Sequence, residues 1–195
     1  MPLDIVILGP PGAGKGTQGK LIAADAGIPH VNTGDMFRAE CAAGTDLGER
    51  VQSILDAGDL VPDALTIEVV RARLDQEDTA RGFVLDGFPR TLAQAEALDR
   101  VLAEIDRGEL SVVLDFQLPD RIAVERLLGR AAVEGRSDDT PDRIEHRLHV
   151  YHEQSEPVVE YYRLRGILVG IHADRSVEEV FSEVQQVLAT AQQSS

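Results

Sequence analysis

Gly9-Pro10-Pro11-Gly12-Ala13-Gly14-Lys15-Gly16-Thr17 follows directly on an apolar run, Leu3–Leu8, and leads into a helix-like stretch, Lys15–Asp25. A strand that ends in a glycine loop and turns into a helix is a device for holding phosphate. Glycines let the backbone curl until several N–H groups face one anion. The start of the helix adds the positive end of its dipole. Lys15 sets a full charge where outer phosphates would lie. The spacing Gly9-x4-Gly14-Lys15 fits the P-loop with one departure. Gly16 stands where Ser or Thr is usual and Thr17 follows, so the metal-facing hydroxyl is displaced by one residue. The competing reading is a Gly/Pro-rich turn of an ordinary α/β protein. A second pattern, Gly14-Lys15-Gly16-Thr17-Gln18-Gly19, matches G-x-G-x-x-G, but that motif needs a strand running up to its first glycine. Gly9–Ala13 occupies that place and builds no strand.

Beyond the loop, extended and helical patterns alternate. Apolar runs at Ile28–Val31, Phe83–Leu85, Ser111–Gln117 and Gly166–Ile171 join Leu3–Leu8 as five strand candidates. Between them lie helical patterns at Asp35–Ala43, Leu47–Ala57, Pro62–Glu77, Leu92–Arg107, Arg121–Arg130 and Asp142–Arg165, the last with a kink expected at Pro157; Val177–Ala191 closes the chain. Ala131–Pro141 reads as a polar loop. The strands are apolar with little alternation, as a parallel sheet covered by helices on both faces requires. The expected fold is therefore α/β, with five parallel strands. Ligands should gather at the carboxyl ends of those strands, and the notable residues cluster there.

Length and charge set the frame. At 195 residues the chain makes one domain with room for a real core. No apolar run reaches the length of a membrane span, and no signal peptide is visible. Cys41 is the only cysteine, which excludes an internal disulfide and a multi-cysteine zinc site and fits a reducing cytoplasm; its expected role is that of a small buried residue. The net charge is −15, from 34 acids against 19 bases. A field of that sign repels nucleic acid and anionic membranes. It also repels nucleotides, so local cations must reverse it wherever a nucleotide binds. Among the bases only Lys15 and Lys20 are lysines.

Several residues have chemistry to offer. Thr33-Gly34-Asp35-Met36-Phe37-Arg38 follows the second strand; Thr33 either caps a helix or sits beside a second nucleotide's base, with Arg38 on its phosphate. Asp86-Gly87-Phe88-Pro89-Arg90 ends the third strand. There Asp86 has the place of a Walker-B carboxylate, Pro89 fixes the turn and Arg90 can present its fork to phosphate. The bland alternative is a strand-ending turn with an exposed arginine. Arg126 and Arg130 stand i,i+4, as do Arg143 and Arg147, with Arg136 between the pairs. Like charges at that spacing cost about 0.2–0.5 kcal/mol in an isolated helix, partly offset by the dipole in a last turn. Each arginine alone reads as solvated surface; the set reads as a phosphate clamp. His146, His149 and His152 read as surface or packing residues.

Taken together, the loop Gly9–Gln18, the run Thr33–Arg38, Asp59-Leu60-Val61-Pro62-Asp63, Asp86–Arg90 with Gln94, and the late arginines resemble, in order, the adenylate kinases of the nucleoside-monophosphate kinase family. The resemblance covers nearly the whole chain. It implies reversible transfer of phosphate from Mg-ATP to AMP, giving two ADP. Gly12, Ala13, Gly14, Lys15, Gly16 and Thr17 would hold ATP phosphates, with Arg126 and Arg130 facing ATP. Thr33, Arg38, Asp59, Leu60, Val61, Gly87, Phe88, Pro89, Arg90 and Gln94 would hold AMP, with Gln94 on the adenine edge. Arg136 and Arg147 would clamp the phosphates in transfer, and Asp86 would order water on magnesium near Thr17. The core would span 1–31, 62–130 and 147–195, a mobile AMP arm 32–61, and a short zinc-free lid 131–146. Residues Ala131–Glu134 make that lid longer than is usual for short-lid relatives. At Arg175, where the family more often has glycine or lysine, the resemblance would place a backbone carbonyl against the adenine of ATP. A cytoplasmic monomer is expected. Rival readings are a UMP/CMP kinase, disfavoured by Thr33 and Gln94, and a nucleotide-binding module without turnover. A GTP switch lacks its Asn-Lys-x-Asp run, since Asn32 is the only asparagine.

Overall fold

The computed structural model describes residues 2–134 and 139–193. Five parallel strands form one sheet: β1 (Leu3–Leu8), β2 (His30–Asn32), β3 (Gly82–Asp86), β4 (Val112–Gln117) and β5 (Leu168–His172), in the order β2-β3-β1-β4-β5. The strand that feeds the glycine loop is thus central. Its side chains alternate between two cores, and both are apolar. Ile5 and Ile7 pack with Val84, Leu114 and Phe116 on one face. Val6 and Leu8 pack with Val31, Leu85 and Val113 on the other. This is why the strands show no polar alternation in sequence.

The first face is covered by α1 (Lys15–Ala26), α6 (Asp120–Glu134), α7 (Pro141–Val150) and α9 (Val177–Gln193), through residues such as Ile22, Leu127, Leu148 and Val184. The second is covered by α4 (Asp63–Leu74), α5 (Leu92–Glu104) and α8 (Glu156–Leu164), through Val70, Leu98 and Tyr162. The remaining pair, α2 (Thr33–Ala43) and α3 (Asp46–Ala57), has a small core of its own around Phe37, Val51 and Val61. Opposite the glycine loop, the edge near Asp4 is tied by Arg107, which is 2.5 Å from that carboxylate and also donates to the Thr79 carbonyl.

Several boundaries differ from the sequence expectation. Asn32, rather than Thr33, caps α2: its Oδ1 accepts from the Asp35 N–H at 2.9 Å. α6 continues through Ala131–Glu134, where a loop was expected, because alanine and glutamate favour helix. Arg126 and Arg130 therefore do not stand in its last turn, and the dipole offset does not apply to them. The long helix expected over Asp142–Arg165 is interrupted by a wide turn, Tyr151–Ser155. Pro157 lacks the N–H that would bond the Glu153 carbonyl, and the chain widens just before it. Cys41 is half-buried rather than buried, and its thiol donates to the Gly48 carbonyl at 3.4 Å. The histidines sit at the surface as expected: His146 on Asp59 at 2.6 Å, His149 on Glu153 at 3.3 Å and His152 between Asp120 and Glu156.

Candidate active site

At the carboxyl ends of β1 and β3 lies a cleft of about 560 Å³. Among the described residues its walls carry Lys15, Lys20, Arg38, Arg90, Arg126, Arg130 and Arg147 against two carboxylates, Asp35 and Asp86. In a chain of net charge −15, that reverses the field locally. Both lysines of the protein are on this wall.

The glycine loop forms the floor, with Gly9, Gly12, Gly14, Gly16 and Thr17 exposed to the cleft. Ala13 is buried beneath it. The Lys15 ammonium donates to the Gly9 and Pro10 carbonyls, at 2.7 Å each, so the loop holds its own cation in place. Burial pushes the Lys15 pKa from 10.5 down to about 8; Asp86 opposes this, while Arg90, Arg147 and Arg130 add to it. The coupling means that these cations face one another across a single space.

Asp86 ends β3 and is almost fully buried. Its Oδ2 accepts from Asn32 Nδ2 at 2.6 Å and lies 3.4 Å from His30 Nε2. Burial alone would raise the carboxyl pKa, but His30 and Lys15 outweigh it and hold Asp86 below the ordinary carboxylate range. It is therefore an anion at neutral pH, beside the loop. The next residue, Gly87, has φ +82°, and a β-carbon there would lie 2.7 Å from Thr33 Oγ1. The close seat of Thr33 on this turn replaces the capping role that its sequence position also allowed. The Phe88–Pro89 peptide is cis, Phe88 is buried in the core, and Pro89 lines the cleft. Arg90 curls back so that its Nε donates to the Gly87 carbonyl at 2.9 Å.

The remaining expected residues divide. Arg38, Leu60, Gly87, Arg126, Arg130 and Arg147 line the cleft. Val61 and Gln94 are buried just behind it, and Asp59 turns its side chain to His146. Arg136 lies outside the described residues. Arg175 directs its guanidinium away, pairing with Glu183 and donating to the His172 carbonyl. Only its backbone carbonyl is engaged near the site, accepting from Arg126 Nη2 at 3.4 Å.

Four supporting residues were given no role in the site from sequence. Asp139, buried at the base of α7, accepts two 2.7 Å bonds from Arg130 and one of 2.8 Å from Arg147. It sets both forks. Asn32 and His30 hold Asp86. Asp63 holds Gln94 through a 2.7 Å bond from Nε2. Each lies in or near a quoted run, but none has a spacing that reveals its partner.

What this cleft is shaped to receive is phosphate, and the loop beneath it is that of the P-loop phosphotransferases. The comparisons narrow the class. A family model described as Adenylate kinase matches residues 7–167. The adenylate kinase of Thermobifida fusca is 48% identical over 186 residues, 95% of this chain and 98% of the relative. That of Mycobacteroides abscessus is 49% identical over 95% of this chain and 99% of the relative. That of Stenotrophomonas maltophilia is 44% identical over 93% and 97%. The chain belongs to the adenylate kinase family. No helix among the described residues is long and apolar enough to cross a membrane.

Proposed function

We propose that the protein catalyses reversible phosphoryl transfer, Mg-ATP plus AMP giving two ADP. The observation that carries this is the convergence of seven cations on one cleft in an acidic chain. The attacking atom is an oxygen of the AMP phosphate. Its second pKa is about 6, so it is anionic near neutral pH and needs no general base. What the reaction needs is alignment of two polyanions and neutralisation of their charge.

Lys15 sits on the outer phosphates of ATP, with the loop N–H groups from Gly12 to Thr17. Arg126 and Arg130 face ATP; Arg38 and Arg90 take the AMP phosphate; Arg147 and Arg136 clamp the transferring group. Thr33, the backbone at Asp59–Val61, Gly87–Pro89 and Gln94 enclose the AMP base and ribose. The ionised Asp86 beside the loop, with the Thr17 hydroxyl, suits magnesium that arrives on the nucleotide. That ion would neutralise phosphate charge and keep its water shell against Asp86. The small core around Phe37 and Val51 supports reading 32–61 as a movable arm; 131–146 is read as the lid. Their closure keeps water from ATP. A monomer is the expected working form. The single cysteine supports a cytoplasmic setting.

A coupled assay of ADP formation, with AMP, CMP and UMP as acceptors, tests the reading. AMP should be the best acceptor, and Lys15→Ala and Arg90→Ala should lose most activity while remaining folded. ATP binding without ADP formation would refute catalysis; a preference for CMP or UMP would refute the acceptor.

A further inference from the structure

Gln94 is enclosed by partners that leave its amide only one orientation. The Arg90 backbone N–H, which can only donate, is 2.8 Å from Gln94 Oε1. An Asp63 carboxylate oxygen, which can only accept, is 2.7 Å from Gln94 Nε2. The other Asp63 oxygen accepts from the Thr91 hydroxyl at 2.9 Å, and that hydroxyl oxygen caps α5 by accepting from the Gln94 N–H at 3.2 Å. Turning the amide over would set donor against donor at Arg90 and acceptor against acceptor at Asp63. The amide keeps one N–H and one oxygen lone pair unused. Gln94 is almost fully buried behind the cleft wall, so those two sites have no free access to bulk water.

We propose that Asp63 is a specificity-determining positioning residue: by locking the Gln94 amide it selects a base edge with an acceptor beside a donor and rejects the reverse pattern. Adenine has that edge, a ring nitrogen that accepts and an amino group that donates. A 6-oxopurine has the reverse, a ring N–H and a carbonyl. Without the carboxylate only the Arg90 N–H would oppose a turn of the amide toward a 6-oxopurine, and discrimination within the purines would fall. This rests on the reading of Gln94 as the residue facing the AMP base. Cytosine carries the same pattern as adenine on its pairing edge, so the lock does not separate AMP from CMP.

The test compares kcat/KM for AMP, IMP and CMP at saturating Mg-ATP in the unmodified protein, Asp63→Ala and Asp63→Asn. One hydrogen bond to a charged group supports a change of about 10- to 100-fold. Asp63→Ala should therefore lower the AMP/IMP ratio by about that factor, while the AMP/CMP ratio and the KM for ATP stay within about twofold. Asp63→Asn can offer Gln94 either an oxygen or an NH2, so its ratio should fall between the other two. Should Asp63→Ala fail to fold, the near-isosteric Asp63→Asn carries the test alone. A purely structural role at the start of α4 would slow AMP and IMP equally; an unchanged AMP/IMP ratio in the folded variants overturns the assignment. Failure of the unmodified protein to use AMP would instead refute the function itself, and the assignment with it.

Discussion

Replacing Lys15 by methionine should abolish ADP formation and yet stabilise the nucleotide-free protein. Holding this ammonium in the cleft moves its pKa from 10.5 to about 8, which corresponds to about 3 kcal/mol against folding at neutral pH. The sign follows from proton binding. The folded chain binds this proton more weakly than the unfolded chain does. The penalty is thus complete below pH 8, fades as pH rises from 8 toward 10.5, and is gone above that. Methionine fills similar volume without charge. It gives up the bonds to the Gly9 and Pro10 carbonyls, but these lie at the cleft wall, where water can replace the ammonium. After that loss a net gain of about 1–2 kcal/mol is expected, raising Tm by roughly 2–8 °C for a chain of this size. Scanning calorimetry of both proteins without nucleotide, at pH 7 and pH 10, measures it. The gap should close at pH 10. With saturating Mg-ATP the order should reverse, because only the unmodified protein gains binding free energy. A methionine variant less stable at pH 7, or a gap independent of pH, would refute the reasoning.

Asp86→Asn should lower kcat about 100-fold, as loss of a pre-set charge in a site does. Because the fold depresses the Asp86 pKa, this carboxylate stabilises the protein above its ordinary titration range and ceases to do so as pH falls through its folded value; acid titration of Tm in the variant should therefore be shallower. Gly87→Ala combines a left-handed φ with a β-carbon 2.7 Å from Thr33 Oγ1. It should cost about 2 kcal/mol and raise the KM for AMP more than that for ATP, read by thermal melts and initial rates. Asp139→Ala removes three charge-assisted bonds to Arg130 and Arg147 at a buried site. A loss of about 3 kcal/mol with a lower kcat is expected from urea titration and the coupled assay, whereas unchanged stability would mean that the arginines do not depend on it.

How legible this site was depends on the distance over which each residue acts. The glycine loop, the Asp86 turn and the pair Arg126 and Arg130 lie in short runs whose spacing carries their chemistry, and they line the cleft. The five strands could be counted because each is buried on both faces and so lacks polar interruption. The supporting shell left no such trace. Asn32 and Asp86 are 54 positions apart, and Asp63 and Gln94 are 31 apart. Their pairings exist only once β2 lies beside β3 and α4 beside α5. Asn32 served in the sequence only as an argument against a guanine site; in the fold it caps α2 and donates to the Asp86 carboxylate. The extension of α6 through Glu134 was masked by the polar stretch after it, although Ala131 and Ala132 favour helix. At Arg175 the side chain is taken up by Glu183, while the backbone carbonyl on which the sequence reading rested accepts from Arg126.

Gly58 ends α3 directly beneath Arg147, and a β-carbon there would lie 2.8 Å from Arg147 Cγ. Two segments 89 positions apart in the numbering have thus been shaped to each other at one missing methyl group. Anyone building chimaeras between this protein and its relatives must exchange the 32–61 segment together with α7, or keep glycine at the junction. A hybrid with any side chain at 58 would force the guanidinium stem aside and misdirect the very group that the segment should close upon, so that a well-folded recombinant could still be inert.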